Sequence, residues 1–321
     1  MGGFLIVHRT ERLHSIEDLV TAKELFKISV KRVEIETHSF CNRCCDYCPN
    51  SIGDRIGPNI RMEETIWQRI IGNLGEIEYD SVVALQSYNE PLADRFILER
   101  LRQARVAIPK SKLWIYTNGD YLDAGYLNEL ADAGLDVLSV SVHLNPGEQF
   151  NVLGILNKFS ELTVRMGCPA IFKEVAANRH ILAQVRHPRL TIELRGINFF
   201  ESGTNRGNLV EGIKASSPRT APCYFPFAHF YVGYSGNIVP CCHIRSDAPD
   251  HQQYVIGNIG DFESIYQTYT SRKAVKWRRQ LISFEEKKEP CRGCSVAFLT
   301  DKTEELEMVG IAYRQHVLDK L

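Results

Sequence analysis

Between residues 30 and 200, short runs of β-branched and apolar residues alternate with stretches in which apolar residues recur at helical spacing. The runs predict six strands, at 32–38, 81–86, 112–118, 136–143, 169–176 and 189–197. The helical patterns fall at 62–76, 93–105, 121–134 and about 150–166, and a short helix is expected between the last two strands. Such alternation predicts parallel strands joined by right-handed crossovers.

The length of this alternating region decides between a closed and an open barrel. About 170 residues are too few for an eight-fold barrel, which usually needs ~250. We therefore predict an α/β protein whose residues 31–200 form a partial (β/α)6 barrel. In such sheets the functional residues gather at the carboxyl ends of the strands.

The pattern changes on both sides of this region. Residues 1–30 are an N-terminal extension. After residue 200, a loop-like segment leads to a hairpin at 229–242, whose turn is Ser-Gly-Asn. Helical patterns follow at 261–283 and 301–320. We predict that residues 201–321 form a small α+β module.

Composition changes this picture only through cysteine. The 321 residues are 44% hydrophobic and carry a formal net charge of −1, so nothing indicates a nucleic-acid or membrane partner. The sequence shows neither a span of ~20 apolar residues nor a secretion signal, and we expect a cytoplasmic protein. Ten cysteines are many for such a chain. In a reducing compartment, clustered cysteines are more often metal ligands or catalytic groups than disulfides.

Four cysteines lie within eight positions after the first predicted strand, in CNRCCDYCPNS. Cys41, Cys45 and Cys48 have the spacing C-x3-C-x2-C. Three thiolates on a short loop can bind three corners of a cubane and leave its fourth iron open. A zinc site is the alternative, with His38 or another residue as fourth ligand. Cys44 is unassigned.

Four more cysteines form a second pattern around the predicted hairpin, C-x17-C-x49-C-x2-C. They are Cys223, Cys241, Cys291 and Cys294. Four thiolates can hold either a [4Fe–4S] cluster or a structural zinc ion, and the spacing alone allows both. Cys44, Cys168 and Cys242 are then left without a role as ligands. All three can be explained as small buried hydrophobic residues.

The first cysteine pattern resembles that of the radical S-adenosylmethionine (SAM) superfamily. It follows the first strand of a β/α series and has an aromatic residue, Tyr47, before its last cysteine. SYNEP (87–91) follows the second strand, where the family carries a Gly-Gly-Glu-Pro-type motif that binds the SAM amino group. Asn89 and Glu90 occupy late positions of that motif, while Tyr88 and Asn89 replace its glycines.

The ends of the next two strands also resemble the family. Thr117 and Asn118 begin the TNG segment that ends the third strand in many members, and Ser141 ends the fourth, where members often contact the ribose. Each residue also has a structural explanation: Glu90 could cap a helix, Thr117 and Asn118 could form a turn, and Ser141 could be a buried hydroxyl. Their combined placement beside the cysteine loop favours a SAM site.

The resemblance implies a [4Fe–4S] cluster whose open iron chelates SAM. One electron from the reduced cluster then breaks the S–C5′ bond, and the 5′-deoxyadenosyl radical removes hydrogen from a substrate. An external electron donor of the flavodoxin or ferredoxin type is also implied. The SAM carboxylate needs a basic partner, for which Lys173 and Arg195 are the candidates.

The second cysteine pattern resembles the shortened SPASM module called twitch, which holds one auxiliary [4Fe–4S] cluster. TNRGN (204–208) resembles the bridging segment of the same group. Four protein ligands leave no iron open, which favours electron transfer or structural support over substrate binding. Oxidation of a substrate could use such an electron acceptor. Epimerisation would instead need a hydrogen donor, and Cys242 is the candidate.

Relatives with a twitch module imply a small natural-product or sugar-like substrate that is oxidised or epimerised. Peptide modification is an alternative, although its enzymes often carry an N-terminal recognition domain, and only about 30 residues precede the barrel here. RCCDYC (43–48) also resembles the loop of relatives that transfer a 3-amino-3-carboxypropyl group, including those that form C–As bonds. A non-catalytic iron–sulfur carrier or zinc protein would leave Glu90 and the TNG segment unexplained.

Overall fold

The structure is a computed structural model that describes residues 11–145, 147–176, 178–213 and 217–296. The chain divides into two compact units. The sheet unit is Glu34–Gly203, and the split unit combines Met1–Val33 with Thr204–Leu321. The domain assignments 1–30, 31–200 and 201–321 stay predictions, and the helix expected at 301–320 lies outside the described residues.

The secondary structure of the described residues follows the chain in this order. The strands are β1 (Arg32–Ile35), β2 (Val82–Ala84), β3 (Lys112–Thr117), β4 (Val137–Val142), β5 (Ala170–Ala176), β6 (His180–Val185), β7 (Thr191–Ile197), β8 (His229–Val232), β9 (Asn237–Val239) and β10 (Gly257–Asn258). The α-helices are α1 (Leu19–Ser29), α2 (Glu64–Glu76), α3 (Ile97–Ala107), α4 (Ala124–Asp132), α5 (Val152–Met166), α6 (Phe199–Ser202), α7 (Phe225–Ala228), α8 (Ile265–Thr270) and α9 (Arg272–Ile282).

The sheet unit is built on an open sheet with the order β1-β2-β3-β4-β7-β6-β5. Strands β2, β3, β4 and β7 pair in parallel. The predicted α/β class with a mostly parallel, unclosed sheet is therefore confirmed. Because the neighbours run in parallel, the carboxyl ends of β2, β3, β4 and β7 meet at one edge of the sheet.

The two faces of the sheet differ because side chains alternate along each strand. On β4, Leu138 and Val140 are fully buried on one face, while Ser139 and Ser141 lie on the other. Amphipathic helices supply further apolar groups; α2, for example, buries Trp67 and Leu74. Burying each such side chain stabilises the fold by about 1.5–3 kcal/mol.

The prediction of a short helix between 176 and 189 is wrong. Strand β6 forms there instead and includes Ile181 and Ala183. It pairs antiparallel with both β5 and β7. Its burial alternates strictly, with Ile181, Ala183 and Val185 on the covered face. The sequence itself does not alternate, since Ile181, Leu182 and Ala183 are apolar in succession, and so short an apolar run does not distinguish a strand from a helix by periodicity.

The split unit contains an antiparallel arrangement of β8, β9 and β10. Tyr231 lies opposite Val239 and Gly236 turns the chain with φ of 84°, so the predicted hairpin is confirmed. The helix predicted at 261–283 is instead two helices, α8 and α9. Ser264 and Ser271 each accept a backbone N–H as helix caps and so start a helix separately. In the part of the chain that the structure describes, no helix is long and apolar enough to cross a membrane.

Candidate functional site

The first cysteine loop leaves β1 and is closed by backbone hydrogen bonds. Met62 N donates to Thr37 O over 2.9 Å, and Cys41 N donates to Arg55 O over 3.0 Å. Cys41, Cys45 and Cys48 are all half-buried on this loop. The chain therefore holds three thiols on an irregular segment whose two ends are fixed to each other.

A buried ion pair lies under the loop. Arg55 and Glu36 are nearly inaccessible, and Arg55 Nη1 lies 3.1 Å from Glu36 Oε1. The same nitrogen donates to Ser39 O over 2.7 Å. Glu36 Oε1 also accepts the Tyr88 N–H, over 3.0 Å. The pair thus connects the cysteine loop to the SYNEP segment after β2.

The three thiols of the loop are close enough to affect one another. Burial and the charges of Glu90, Cys48 and Cys45 together raise the pKa of Cys41 to about 12. Burial likewise raises the pKa of Cys45 to about 11, with Cys48 adding to the effect. Three half-buried thiols near one another fit a site for positively charged iron, which would stabilise their thiolates.

In residues 11–296, as far as described, no three Cys, His, Asp or Glu side chains are arranged as ligands of a single metal ion. A cubane makes a different demand, because each of its irons takes one protein thiolate. The thiols therefore need not converge on one point.

The cysteine loop is tied to the end of β3 by a polar network that the sequence did not reveal. Asp120 receives two hydrogen bonds from Arg43, over 2.7 and 2.5 Å. It also accepts from Asn42 Nδ2 over 2.8 Å. Asn42 Oδ1 in turn accepts from Asn118 Nδ2 over 2.8 Å. Asn118 thereby positions the cysteine loop as well as the strand end.

Glu90 is a buried carboxylate at the centre of this region. It accepts hydrogen bonds from Thr117 Oγ1 (2.5 Å), Asn118 N (2.6 Å) and Leu92 N (3.0 Å). Burial nevertheless raises its pKa to about 7, against the effect of these donors. A carboxylate has about four acceptor positions. One position is left, and an ammonium group would both fill it and compensate the buried charge.

Glu90 and Asn89 also have the structural roles considered from the sequence. The Leu92 contact makes Glu90 the cap of the 3-10 turn Pro91–Ala93. Asn89 is buried, and its Oδ1 accepts the Ser87 N–H over 3.0 Å. For Asn89 this local role accounts for the side-chain oxygen. For Glu90 the cap uses only one of three hydrogen bonds.

Tyr47 belongs to an aromatic group at the same edge of the sheet. Its hydroxyl lies 2.6 Å from His143 Nδ1, and its ring stacks on Phe199 at 4.6 Å. Burial lowers the pKa of His143 to about 4, so the imidazole is neutral near pH 7 and shares a hydrogen bond with the Tyr47 hydroxyl. His143 directly follows β4, and that position was the only sequence signal for it.

A polar strip crosses the face of the sheet that carries Ser139. Trp114 Nε1 donates to Ser139 Oγ over 3.0 Å, and this hydroxyl donates to Glu193 Oε2 over 3.1 Å. Ser141 and Arg195 are half-buried and lie opposite each other across β4 and β7. These residues define the polar strip: Trp114, Tyr116, Ser139, Ser141, Glu193 and Arg195.

The two candidate partners of the SAM carboxylate are placed very differently. Arg195 lies on the polar strip, with its guanidinium 5.6 Å from the centre of the Tyr116 ring. Lys173 is exposed on the edge strand β5, and β6 separates β5 from β7. The structure therefore brings Arg195, but not Lys173, next to Ser141.

The split unit gathers the four cysteines of the second pattern. Burial and the charges of neighbouring thiols raise the pKa of Cys241 and that of Cys291, the latter to about 12. Burial also raises the pKa of Cys223, to which the charge of Cys294 adds. The effects on Cys241 come from Cys223, Cys291 and Cys294 as well as from Cys242, so the four cysteines of the pattern are near enough to fit an iron–sulfur cluster.

The remaining cysteines lie outside these two groups of ligands. Cys242 packs, with Cys241, against the apolar cluster of Tyr231, Val239 and Ile244. Cys242 is half-buried, and this packing fits a small apolar side chain. Cys44 is half-buried in the first loop, and Cys168 is half-buried just after α5.

Comparison with known proteins gives two family matches. Residues 35–158 match the radical SAM superfamily, and residues 223–295 match an iron–sulfur cluster-binding domain called SPASM. The SAM-dependent 2-deoxy-scyllo-inosamine dehydrogenase of Niallia circulans is 24% identical over 264 residues, which are 82% of this chain and 92% of the relative. An uncharacterized protein of Methanocaldococcus jannaschii is 30% identical over 122 residues, 37% of this chain and 36% of that protein.

The fold is also similar to that of solved structures. The crystal structure of BtrN in complex with AdoMet and 2-DOIA superposes with a TM-score of 0.61 at 22% identity. The match covers 85% of this chain and 96% of BtrN. An open conformation of BtrN gives a TM-score of 0.54 over 84% of this chain and 94% of that one. At these identities, the likeness concerns the fold.

Proposed function

We propose that this chain, whose residues 35–158 match the radical SAM superfamily and whose residues 223–295 match the SPASM iron–sulfur domain, is a radical SAM dehydrogenase of a small polyhydroxylated molecule. The 2-deoxy-scyllo-inosamine dehydrogenase named above supports oxidation over epimerisation and over transfer of an aminocarboxypropyl group. A non-catalytic electron carrier would not need the buried Glu90 carboxylate. That carboxylate carries the proposal, since it has one acceptor position left beyond its three hydrogen bonds and its backbone N–H donates to the carbonyl oxygen of Phe40, directly before Cys41.

The residues that hold the cofactors follow from the two cysteine groups. Cys41, Cys45 and Cys48 would hold a [4Fe–4S] cluster with one open iron, and Cys223, Cys241, Cys291 and Cys294 would hold one auxiliary cluster. When bound, SAM and the first cluster supply the radical that removes hydrogen, and the auxiliary cluster supplies an acceptor for the remaining electron. An external flavodoxin- or ferredoxin-type protein would reduce the first cluster.

The residues near the first loop would bind and orient SAM. Glu90 Oε2 would accept a hydrogen bond from its ammonium group. Thr117 and Asn118 fix the Glu90 carboxylate through their own hydrogen bonds, and Asn89 shapes the turn before it. Tyr47 is held by His143 and Phe199 and offers a ring for stacking. Ser141 and Arg195 would contact the ribose and the carboxylate.

The part of the polar strip around Glu193, Trp114 and Tyr116 would bind the substrate. Glu193 is half-buried, and one of its oxygens accepts from Ser139. Its remaining acceptor positions suit a substrate hydroxyl or ammonium group, and Trp114 and Tyr116 stack at 5.7 Å beside it to form an apolar wall. Such a combination of a carboxylate and aromatic rings suits an amino-substituted cyclitol or sugar. An oxidation needs no hydrogen donor, so Cys242 would have no catalytic role. This agrees with its packing against the apolar cluster of Tyr231, Val239 and Ile244.

The substrate class can be tested with deuterium. Reduced, reconstituted enzyme would receive SAM and 2-deoxy-scyllo-inosamine, or related amino-polyols, with deuterium on each carbinol carbon in turn. Dehydrogenation predicts deuterium in 5′-deoxyadenosine together with a carbonyl product. An epimer without a carbonyl product would instead support epimerisation, and methylthioadenosine would support group transfer. Deuterium absent from 5′-deoxyadenosine for every amino-polyol would contradict the proposed substrate class.

Replacing Glu193 with Gln should raise the KM for the amino-polyol about 10- to 100-fold, since a hydrogen bond to a charged group contributes about 1.5–3 kcal/mol. SAM affinity should not change. Glu174→Gln is the matched control, because Glu174 is exposed and pairs with His180 on the outer strands. Equal KM values for the two variants would remove Glu193 from the substrate site.

A further inference from the structure

Two cationic side chains, Arg219 and Lys287, are buried near the cysteines of the split unit. Arg219 is 7% exposed and Lys287 is 3% exposed. Each lies four positions before a cysteine of the second group, Cys223 and Cys291 respectively. Burying a charge is strongly unfavourable unless an opposite charge compensates it, so both positions call for a physical reason.

The backbone holds these two residues next to each other and next to the CRGC segment. Arg219 N donates to Arg292 O over 2.8 Å, and Lys287 N donates to Arg219 O over 2.8 Å. The chain at Arg219 therefore bonds to the segment both before and after Cys291. Cys294 N closes the same turn by donating to Cys291 O over 3.2 Å.

The hydrogen-bond acceptors of both side chains are neutral. Arg219 donates to the carbonyl oxygens of Ala221, Pro222 and Val296, over 3.0, 2.6 and 2.6 Å. Lys287 donates to the carbonyl oxygens of Glu285 and Ser283 and to the Ser283 hydroxyl. Within the described residues, no carboxylate pairs with either cation. Their positive charges are thus not neutralised by an ordinary ion pair.

Hydrogen bonds place both cations next to cysteines of the second pattern. Arg219 Nη2 donates to the carbonyl oxygen of Pro222, the residue directly before Cys223, over 2.6 Å. Cys291 N donates to the carbonyl oxygen of Lys288, the residue directly after Lys287, over 2.9 Å. The two buried cations therefore lie beside thiolates whose negative charge they would compensate.

The first cysteine group has a different electrostatic environment. Its nearby cation, Arg43, is neutralised by two hydrogen bonds to Asp120. The Glu90 carboxylate is buried beside the first cysteine loop, where Glu90 N donates to the carbonyl oxygen of Phe40, directly before Cys41, over 2.9 Å. A buried carboxylate thus lies beside the first cysteine group, whereas two buried cations lie beside the second.

We propose that Arg219 and Lys287 raise the reduction potential of the auxiliary cluster, so that it accepts an electron more readily; this rests on the proposed cluster at Cys223, Cys241, Cys291 and Cys294. Adding an electron makes a cluster more negative. A fixed positive charge in a buried environment stabilises the reduced form more than the oxidised form. With this higher potential, the auxiliary cluster would be the electron acceptor of the reaction.

The test measures the potential directly in the full-length chain. Cys41, Cys45 and Cys48 are replaced with Ala so that only the auxiliary cluster can load, at about four irons per chain. A potentiometric titration followed by electron paramagnetic resonance gives its midpoint. Lys287→Met should shift this midpoint to a more negative potential. Lys287→Arg, which keeps the positive charge, should have the same midpoint as the triple-alanine parent. Lys288→Met is the matched control, because Lys288 is the adjacent but exposed lysine.

A second variant, Arg219→Gln, should shift the midpoint in the same direction. Each result has a distinct meaning. A negative shift in the neutral variants, with Lys288→Met unchanged, supports the inference. Full iron content with the same midpoint in Lys287→Met and Arg219→Gln overturns it and leaves the proposed dehydrogenase intact. No iron in the triple-alanine parent overturns the auxiliary cluster itself and the inference with it.

Discussion

Replacing Glu90 with Gln is expected to weaken SAM binding about 10- to 100-fold while the iron content stays the same. The carboxylate would lose its charge-assisted hydrogen bond to the SAM ammonium group, which contributes about 1.5–3 kcal/mol. The new amide NH2 would also face the donors Thr117 and Asn118. Equilibrium binding of SAM to the reconstituted protein, followed through the spectrum of the first cluster, measures the effect.

The control for this prediction is Glu193→Gln, which removes a carboxylate from the polar strip and should leave SAM affinity unchanged. Thermal unfolding of both variants shows whether the fold is kept. If a folded Glu90→Gln protein binds SAM as tightly as the parent, Glu90 is only the cap of the turn at Pro91–Ala93. The assignment of Glu90 to the ammonium group would then be wrong.

Replacing Arg55 with Met is expected to lower the free energy of unfolding by about 3–5 kcal/mol, because it leaves the Glu36 carboxylate buried without its partner. The variant also loses the hydrogen bond from Arg55 to Ser39 at the base of the cysteine loop. Less iron should therefore load at Cys41, Cys45 and Cys48. Chemical denaturation and iron analysis of the purified protein measure the two effects.

Two further variants separate the buried charge from general damage. Arg55→Met combined with Glu36→Gln should recover part of the lost stability, since the amide oxygen can still accept the Tyr88 N–H. Arg189→Met is the surface control, because its ion pair with Asp132 is exposed and should contribute less than about 1 kcal/mol. A double variant as unstable as the sum of its single variants would contradict the buried-charge explanation.

The sequence predicted the parts of the site that follow from position along the chain. The parallel order of the sheet brings the ends of β2, β3 and β4 to one edge, where Glu90, Thr117 and Ser141 lie. The cysteines are recognisable by their spacing alone. These features depend on local periodicity and on the geometry of parallel strands, both of which can be read from one sequence.

The contacts that orient these groups could not be predicted in the same way. Arg43 and Asp120 are 77 positions apart, and Tyr47 and His143 are 96 apart. No periodic pattern specifies such long-range pairs. In the sequence, the members of these pairs are marked only by their positions, between cysteines or directly after a strand.

Lys173 shows how one missed element changes a site assignment. Lys173 and Arg195 fall on two predicted strands that follow each other in the sequence, at 169–176 and 189–197, which would place both near the SAM carboxylate. Strand β6 is inserted between β5 and β7, so Lys173 lies on the exposed edge instead. The segment that forms β6 contains the apolar run 181–183, whose period does not distinguish a strand from a helix.

The nucleoside released from SAM tests the central claim most directly. The protein is reconstituted with iron and sulfide under anaerobic conditions, reduced in the presence of SAM, and the products are separated and identified. The account predicts 5′-deoxyadenosine from the parent protein and none from Cys45→Ala. Methylthioadenosine, or no cleavage of SAM by a protein that contains the first cluster, would contradict it.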